Sequence, residues 1–326
     1  MPAQPSVQPV QPPPKPLPAS TRKSIGNTRL IKALRKHYAL YLLCIPGVVY
    51  FLAFHYFPMW GILVGFQNFN IWLGFWGSEW VGFAHFTRFF TGPNFNTLMV
   101  NTLLLSFYNI IFAFPAPIIL ALLLNEVRRQ WFKRSIQTLI YIPHFISWVI
   151  IGSMTFMLLS STGPVNSILG NFGIGPIPFL TSVSTFRTIM VTQGIWRGAG
   201  FGTIIFLAAL SAVDMEQYEA AIVDGAGRFR QCWHITIPAL KSVVVLLFIL
   251  QIGSVLGTNF DQVILLSNAG NRTVSDVIEV FVFREGIIGG NFGFTTAIGL
   301  FQSVIGLVLV LCADRLAKFV GESGLF

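Results

Sequence analysis

The chain has 326 residues, of which 54% are hydrophobic and only 10% are charged. Together with a mean hydropathy of +0.69, this composition excludes a pair of soluble domains and predicts an all-α integral membrane protein. The formal net charge of +9 could suggest a nucleic-acid binder, but the basic residues form short blocks between long uncharged runs. That pattern sets the orientation of a membrane protein instead.

The N-terminal segment differs from the rest in composition. Eight prolines among the first 18 residues, without a hydrophobic core, predict a disordered cytoplasmic tail over residues 1–25. Residues 26–37 have a basic pattern that fits either a helix on the inner leaflet or a simple basic stop before the first span. A six-span domain is expected over residues 38–320.

Six runs free of Asp, Glu, Lys and Arg follow the tail. A membrane-spanning helix needs roughly 20 mostly apolar residues. One helix in each run predicts spans at residues 38–58, 97–124, 138–160, 188–212, 242–266 and 293–313. Sixteen Lys and Arg residues lie in the two termini and the loops on their side, against four in the opposite loops. This positive-inside asymmetry predicts that both termini are cytoplasmic.

The segment 59–96, on the predicted outer side, is dense in Trp and Phe. Aromatic residues are enriched in the interfacial belt of membrane proteins and also at docking surfaces. The segment therefore fits either an aromatic girdle or a docking surface for an external partner.

The long polar loop over residues 214–240 has the most specific pattern. Asp214, followed three residues later by Gln217, is a helix-start signal. Nothing interrupts this helix until Gly225, which ends or bends it. A second short helix from about Ala226 to Pro238 would complete a helix-turn-helix elbow outside the membrane.

Within this elbow, the Glu-Ala-Ala triplet at residues 219–221 is followed at a defined spacing by Gly225, Ile235 and Pro238. The pattern resembles the cytoplasmic coupling signature of permease subunits in bacterial ATP-binding cassette importers. The family pattern usually has Leu where this chain has Ile237, which is a conservative departure.

The resemblance extends over residues 38–320. Segments 101–106, 141–148 and 219–226 are similar to the maltose-importer-like sugar permeases. Within that group, they look closest to the permeases for oligosaccharides and polysaccharides, alginate importers among them. The resemblance therefore implies a pathway for a large sugar, anionic if alginate-like, that works by alternating access.

The resemblance also implies partners. The chain would be a non-catalytic transport subunit in the bacterial inner membrane, surrounded by lipid, with no cofactor of its own and no nucleic acid. A second homologous permease would complete a heterodimer, two ATPase subunits would bind ATP and Mg²⁺, and an extracytoplasmic solute-binding protein would dock on residues 59–96 and 268–292. Five elbow residues would contact the ATPase: Glu219, Ala220, Ala221, Asp224 and Gly225.

Five polar residues in or near the predicted spans are candidates for the substrate pathway: Asn109, Gln193, Arg197, Gln251 and Asn259. Such groups can hydrogen-bond sugar hydroxyls in a wet path or hold helices together. Gln251 and Asn259 are two helical turns apart and could share a face. Arg197 either attracts an anionic sugar such as a uronate or pairs with carbonyl groups.

The chain has no Walker-type G-x-x-x-x-G-K-S/T motif, so ATP hydrolysis is expected in another polypeptide. No His or carboxylate lies at metal spacing from His144, which predicts no metal site. An ion-coupled secondary sugar carrier is the main alternative function. Such carriers usually place acidic residues in mid-membrane, whereas the predicted spans hold only Asp261, near the outer end of the fifth.

Overall fold

The computed structural model describes residue 36, residues 38–319 and residues 321, 322, 324 and 325. The predicted tail over residues 1–25 lies outside the described residues, as does the predicted interfacial helix over residues 26–37 apart from residue 36. The chain divides into two compact units, Met1–Trp60 and Gly61–Phe326.

Helices dominate the described residues. In chain order, the described residues form helix α1 (Tyr38–Phe66), strand β1 (Gln67–Asn68), α2 (Gly74–Gly77), β2 (Glu79–Trp80), α3 (Ala84–Thr91), α4 (Phe95–Glu126), α5 (Gln130–Tyr141), a 3₁₀ turn (Ile142–Phe145), α6 (Trp148–Leu159), α7 (Pro164–Asn171), α8 (Val183–Ser211), α9 (Met215–Val223), α10 (Arg228–Gly253), α11 (Phe260–Leu266), α12 (Arg272–Ser275), α13 (Ile278–Phe283), a π turn (Arg284–Ile288) and α14 (Phe292–Phe319).

In the part of the chain that the structure describes, six segments are long and apolar enough to cross a membrane: α1, α4, Trp148–Asn171 (α6 and α7), α8, α10 and α14. Among the described residues, the strands amount to one short antiparallel pair, with Gln67 opposite Trp80. The predicted all-α membrane fold with six spans is therefore confirmed.

Three of the spans contain a π turn that ends two residues before a proline. These turns are Leu52–Tyr56 before Pro58, Asn109–Ala113 before Pro115 and Cys232–Thr236 before Pro238. Proline lacks the N–H of the i→i−4 hydrogen bond, and its ring crowds the carbonyl of the preceding turn. The wider π turn relieves this conflict. Helix α10 therefore continues through Pro238, and the second elbow helix predicted to end there is instead the beginning of the fifth span.

The predicted start of the third span is wrong. That span is predicted over residues 138–160, but its helix begins at Trp148. Pro143 lies in the 3₁₀ turn that ends the preceding helix. Ser147 then starts a new helix, because its hydroxyl accepts a hydrogen bond from the backbone N–H of Ile150 at 3.3 Å.

The predicted fifth span, residues 242–266, is also displaced. Helix α10 covers Arg228–Gly253, and α11 is a separate helix. The prediction starts the span after the charged residues Arg228 and Lys241, which is too late. Long basic side chains can reach the membrane interface from inside a span, so these charges do not mark its beginning. At the other end, the N–H of Gly257 donates to the carbonyl of Ser254 at 2.8 Å. This turn separates α10 from α11.

Helix α8 contacts several other helices of the second unit, packing along α4 and touching α5, α10 and α12. Its buried residues Phe186 and Met190 pack in one apolar cluster, and Phe206 and Leu210 pack in another. Helix α5 approaches α8 so closely that a Cβ added at Gly200 would collide with the carbonyl oxygen of Ile140.

Replacing this glycine tests the close packing. Gly200→Ala is expected to destabilise the protein by about 1–3 kcal/mol, because overpacking forces the backbone to move. Gly299→Ala is the matched control, since nothing lies within 4 Å of its added Cβ and Ala is preferred in helices. Thermal unfolding in detergent compares the two. Equal midpoints would contradict the contact between α5 and α8.

Candidate functional site

The elbow (residues 214–240) begins where the sequence predicts. Helix α9 starts at Met215, directly after Asp214, whose Oδ1 accepts a hydrogen bond from the backbone N–H of Glu216 at 3.0 Å. A carboxylate at this position satisfies a free N–H group and complements the positive end of the helix.

Gly225 ends α9 in a left-handed conformation. Its φ is +74°, which favours glycine because other residues crowd their own backbone there. The N–H of Ala226 donates to the carbonyl of Ala221 at 2.8 Å, and the N–H of Gly225 donates to the carbonyl of Ile222 at 3.0 Å. This is the hydrogen-bond pattern of a Schellman C-cap, and the chain then enters α10.

Two side-chain hydrogen bonds tie the elbow to the fifth span. The Tyr218 hydroxyl in α9 lies 3.0 Å from Oγ1 of Thr236 in α10, and Thr236 is buried. Within the turn, Nε2 of Gln231 donates to the carbonyl of Ala226 at 2.7 Å. These bonds connect the elbow to the fifth span, whose helix α10 is continuous.

The predicted contact residues differ in exposure. Four of them are exposed: Glu219, Ala220, Asp224 and Gly225. Ala221 is half-buried, on the same helical face as the half-buried Tyr218. A partner can therefore reach the Ala220 side of α9 more directly than the Ala221 side.

Large apolar side chains of the elbow are also exposed. They include Met215, Ile222, Val223 and Phe229, with exposed fractions of 66%, 62%, 87% and 83%. Exposed apolar patches mark interaction sites. These residues were not predicted as contacts; large apolar side chains in a polar loop outside the spans are the signal that could have found them.

A cavity of about 610 Å³ lies between α4, α8 and the end of α10. We call it the Gln251 cavity. Three predicted pathway residues line it: Asn109, Gln251 and Asn259. Helix α10 ends at Gly253, so Gln251 and Asn259 do not share a helical face as predicted. Asn259 instead directly precedes α11. The residues that connect α10 to α11, Asn259 among them, line the same cavity as Gln251.

Glu279 also lines the Gln251 cavity and was not predicted. It lies in α13, outside the six spans. Its Oε2 accepts hydrogen bonds from the backbone N–H of Thr258 at 3.0 Å and from the Thr258 hydroxyl at 2.8 Å. Burial raises the pKa of the Glu279 carboxyl above its ordinary value, and the two hydrogen bonds oppose that rise. Its neutral form is thus favoured relative to an exposed carboxyl.

The other two predicted pathway residues lie elsewhere. Gln193 donates through Nε2 to the Thr155 hydroxyl at 2.5 Å and accepts through Oε1 from Nε2 of Gln262 at 3.0 Å. Arg197 donates from Nε to the carbonyl of Ile146 at 3.1 Å, and its guanidinium carbon lies 4.6 Å from the centre of the Trp148 ring. Both side chains hold helices together in this structure.

The two segments predicted to dock a binding protein have different surfaces. Over residues 59–96, Trp72 and Trp76 are 93% and 91% exposed. Over residues 268–292, Arg284 makes two hydrogen bonds with the Asp276 carboxylate, at 3.0 and 3.1 Å. The exposed tryptophans fit both an interfacial belt and a docking surface.

Comparisons with known proteins agree with one another. A protein family described as "Binding-protein-dependent transport system inner membrane component" matches residues 100–322. The polygalacturonan/rhamnogalacturonan transport system permease protein YteP of Bacillus subtilis (strain 168) is 52% identical over 306 residues, which cover 94% of this chain and 95% of that protein.

Two solved structures are also similar. One is a crystal structure of a bacterial alginate ABC transporter in complex with an alginate pentasaccharide-bound periplasmic protein; the TM-score is 0.84 at 35% identity, covering 91% of this chain and 100% of that chain. The other is a bacterial ABC transporter involved in the import of the acidic polysaccharide alginate; the TM-score is 0.84 at 36% identity, covering 90% and 99%.

The left-handed turn of the elbow is open to a direct test. Gly225→Val is expected to destabilise the turn by about 1–2 kcal/mol, because a β-branched residue is strained at positive φ. Gly225→Asn should be tolerated, since Asn adopts this conformation. Hydrogen exchange of the Ala226 amide is the measurement, and a roughly tenfold faster exchange is expected only for Gly225→Val. Equal protection in both variants would contradict the assigned turn.

Proposed function

Because this chain belongs to the family of binding-protein-dependent transport system inner membrane components, we propose that it carries acidic oligosaccharides and is driven through its elbow by a separate ATPase. It is a non-catalytic permease subunit of an ATP-binding cassette importer for oligosaccharides. It is also a multi-pass protein of the inner membrane. No finding favours the alternative of an ion-coupled carrier.

The observation that carries the mechanism is the connection between the elbow and the Gln251 cavity. The elbow is hydrogen-bonded to the start of α10, and Gln251, near the end of the same helix, lines the cavity. Movement imposed on the elbow by an ATPase would therefore change the shape of the cavity. An almost complete shift between inward-facing and outward-facing states needs about 5.5 kcal/mol of differential binding, which nucleotide-driven closure of the ATPase can supply.

An acidic sugar is proposed as the substrate. Both the relative named for polygalacturonan and rhamnogalacturonan and the structures of alginate importers concern polysaccharides that contain uronic acids. The amides of Asn109, Gln251 and Asn259 can hydrogen-bond sugar hydroxyls in the Gln251 cavity. Burial, which favours the neutral form of Glu279, reduces the repulsion that a carboxylate there would exert on an acidic sugar.

An importer permease of this kind works with a second permease, an ATPase and a solute-binding protein. For this chain, the proposal is a heterodimer with a homologous permease, since six spans are few for a path as wide as an oligosaccharide. Two ATPase subunits would bind ATP and Mg²⁺ in the cytoplasm. The excess of basic residues on the elbow side supports cytoplasmic termini, and segments 59–96 and 268–292 would then face the binding protein.

The ATPase contact is proposed to comprise Glu219, Ala220, Ala221, Asp224 and Gly225, extended by the exposed apolar residues of the elbow. The small side chain of Ala220 permits close approach. The neighbouring Ile222 and Val223 offer apolar surface that an ATPase cleft would remove from water.

Reconstitution tests the proposed function. The complete importer in vesicles is expected to take up oligogalacturonates only with ATP, and vanadate should stop the uptake. Uptake driven by an ion gradient without ATP would identify a secondary carrier and refute the proposal.

Enlarging Ala220 tests the elbow contact. Ala220→Trp is expected to leave the importer inserted but to reduce sugar uptake about tenfold or more relative to ATP hydrolysed, because a bulky residue separates the two surfaces. Ala220→Ser keeps the side chain small and should behave as wild type. The readouts are sugar uptake and ATP hydrolysis in the same vesicles. Wild-type coupling in Ala220→Trp would place the ATPase contact elsewhere.

A further inference from the structure

A second cavity, of about 530 Å³, lies beside the first half of α8. We call it the Arg187 cavity; its lining includes Tyr108, Phe112, Ser184, Arg187, Thr188 and Thr192. We propose that Arg187 binds a carboxylate of the transported sugar there and so selects acidic over neutral oligosaccharides. This inference rests on the proposed import of acidic oligosaccharides.

Arg187 is a half-buried cation without a carboxylate partner. Among the described residues, it forms no ion pair within 4.0 Å. Arg284, by contrast, is neutralised by Asp276. Arg187 lies near the start of α8 and lines a cavity, so it is suited to an anion that arrives from outside the chain.

The hydrogen bonds of Arg187 leave much of its guanidinium group available. Its Nη2 donates to Oδ1 of Asn101 at 3.1 Å. Its Nε is buried and has no hydrogen-bond partner among the residues that the structure describes, and Nη1 forms none with them either. Unsatisfied polar groups of this kind call for a functional explanation, and a guanidinium can bind a carboxylate through two parallel N–H groups.

Asn101 holds Arg187 at the cavity wall. Its buried amide nitrogen donates to the carbonyl oxygens of Thr273 at 2.8 Å and Asp276 at 3.1 Å. These bonds fix the orientation of the amide, and its oxygen then fixes Nη2 of Arg187. The cation is therefore positioned before any ligand arrives, which lowers the entropic cost of binding.

Two aromatic residues of α4 in the cavity lining suit a sugar ring. Tyr108 and Phe112 are stacked, with ring centroids 6.3 Å apart and an interplanar angle of 29°. Their rings offer a flat apolar surface against which the C–H face of a pyranose can pack. The hydroxyls of Ser184, Thr188 and Thr192 add donors and acceptors for sugar hydroxyls.

The Arg187 cavity and the Gln251 cavity open on one face of α8. Arg187 and Val191 line the first, and Gly194 and Gly198 line the second. These residues follow one another at spacings of three or four, which places them on the same helical face. From Arg187 to Gly198 the helix rises roughly 16 Å. A sugar chain lying along this face could occupy both cavities.

The test uses two sugars that share one trisaccharide backbone, one with charged carboxylates and one with neutral methyl esters. Uptake of trigalacturonate and of its fully methyl-esterified, neutral form is measured in vesicles with the complete importer, for wild type, Arg187→Gln and Arg197→Gln. Each variant is compared with wild type on the same sugar, so the preference of the unchanged binding protein cancels. Arg197 donates to a carbonyl and lies on a tryptophan ring, which makes Arg197→Gln the matched control.

Arg187→Gln is expected to lower trigalacturonate uptake about 10- to 100-fold, which is the range for losing hydrogen bonds between charged groups. Uptake of the neutral ester should fall less than about twofold. Arg197→Gln should change both sugars by the same factor. Equal loss of both sugars in Arg187→Gln would overturn the inference. If that variant does not assemble, Arg187→Lys decides, since it keeps the charge and loses the fork: a selective loss supports the inference and unchanged acid uptake overturns it.

A lipid phosphate could also bind Arg187 in place of a sugar carboxylate. Changing the lipid composition of the vesicles distinguishes these two ligands. The measurement is repeated in zwitterionic and anionic vesicles, and an equal loss of both sugars that follows the anionic lipid content would assign Arg187 to a headgroup. If wild type takes up neither sugar, the proposed substrate class is wrong and this inference falls with it. If wild type takes up both, the outcome for Arg187 stands independently.

Discussion

The unbroken helix α10 is the physical constraint on which the proposed mechanism depends. It begins inside the elbow at Arg228 and ends at Gly253 beside the Gln251 cavity. Its 26 residues rise roughly 39 Å. Continuity is not trivial, because Pro238 would interrupt a regular helix; the π turn just before it allows the helix to continue. Tyr218 is bonded to Thr236 at one end of this helix, and Gln251 lines the cavity at the other, so the proposed displacement of the elbow would move the cavity wall.

Three arginines of this membrane protein differ in the partners that the rest of the chain provides for their positive charge. Arg284 is paired with Asp276, and Arg197 is satisfied by a carbonyl and the face of Trp148. Both therefore have partners within the described part of the chain. Arg187 has a neutral amide as its hydrogen-bond partner among the described residues and lines a cavity. The same residue type therefore has a structural role where the protein supplies its partner, and is available for recognition where the protein does not.

The sequence predicts what is encoded locally. Charge-free runs give the number of spans, although the predicted third and fifth spans are displaced. Asp214 with Gly225 locates the first elbow helix, because helix caps act within a few residues. The pathway residues are harder. Arg197 meets Ile146 across 51 positions, and Gln193 meets Gln262 across 69. Such partners are chosen by tertiary packing, so polarity inside a span cannot separate a cavity residue from one that joins helices. Glu279 and Arg187 were missed as site residues because they lie in predicted loops.

A distance measurement tests the rigid connection between elbow and cavity most directly. Spin labels are placed at Val223 in the elbow and at Leu250 near the cavity end of α10, both exposed, after replacement of Cys44, Cys232 and Cys312. The distance is measured in the complete importer without nucleotide and after trapping with ATP and vanadate. An unchanged distance is expected, because elbow and helix move as one body. A change of about 5 Å, roughly one helical turn, would show that the elbow and α10 do not move as one body and would contradict the proposed mechanism.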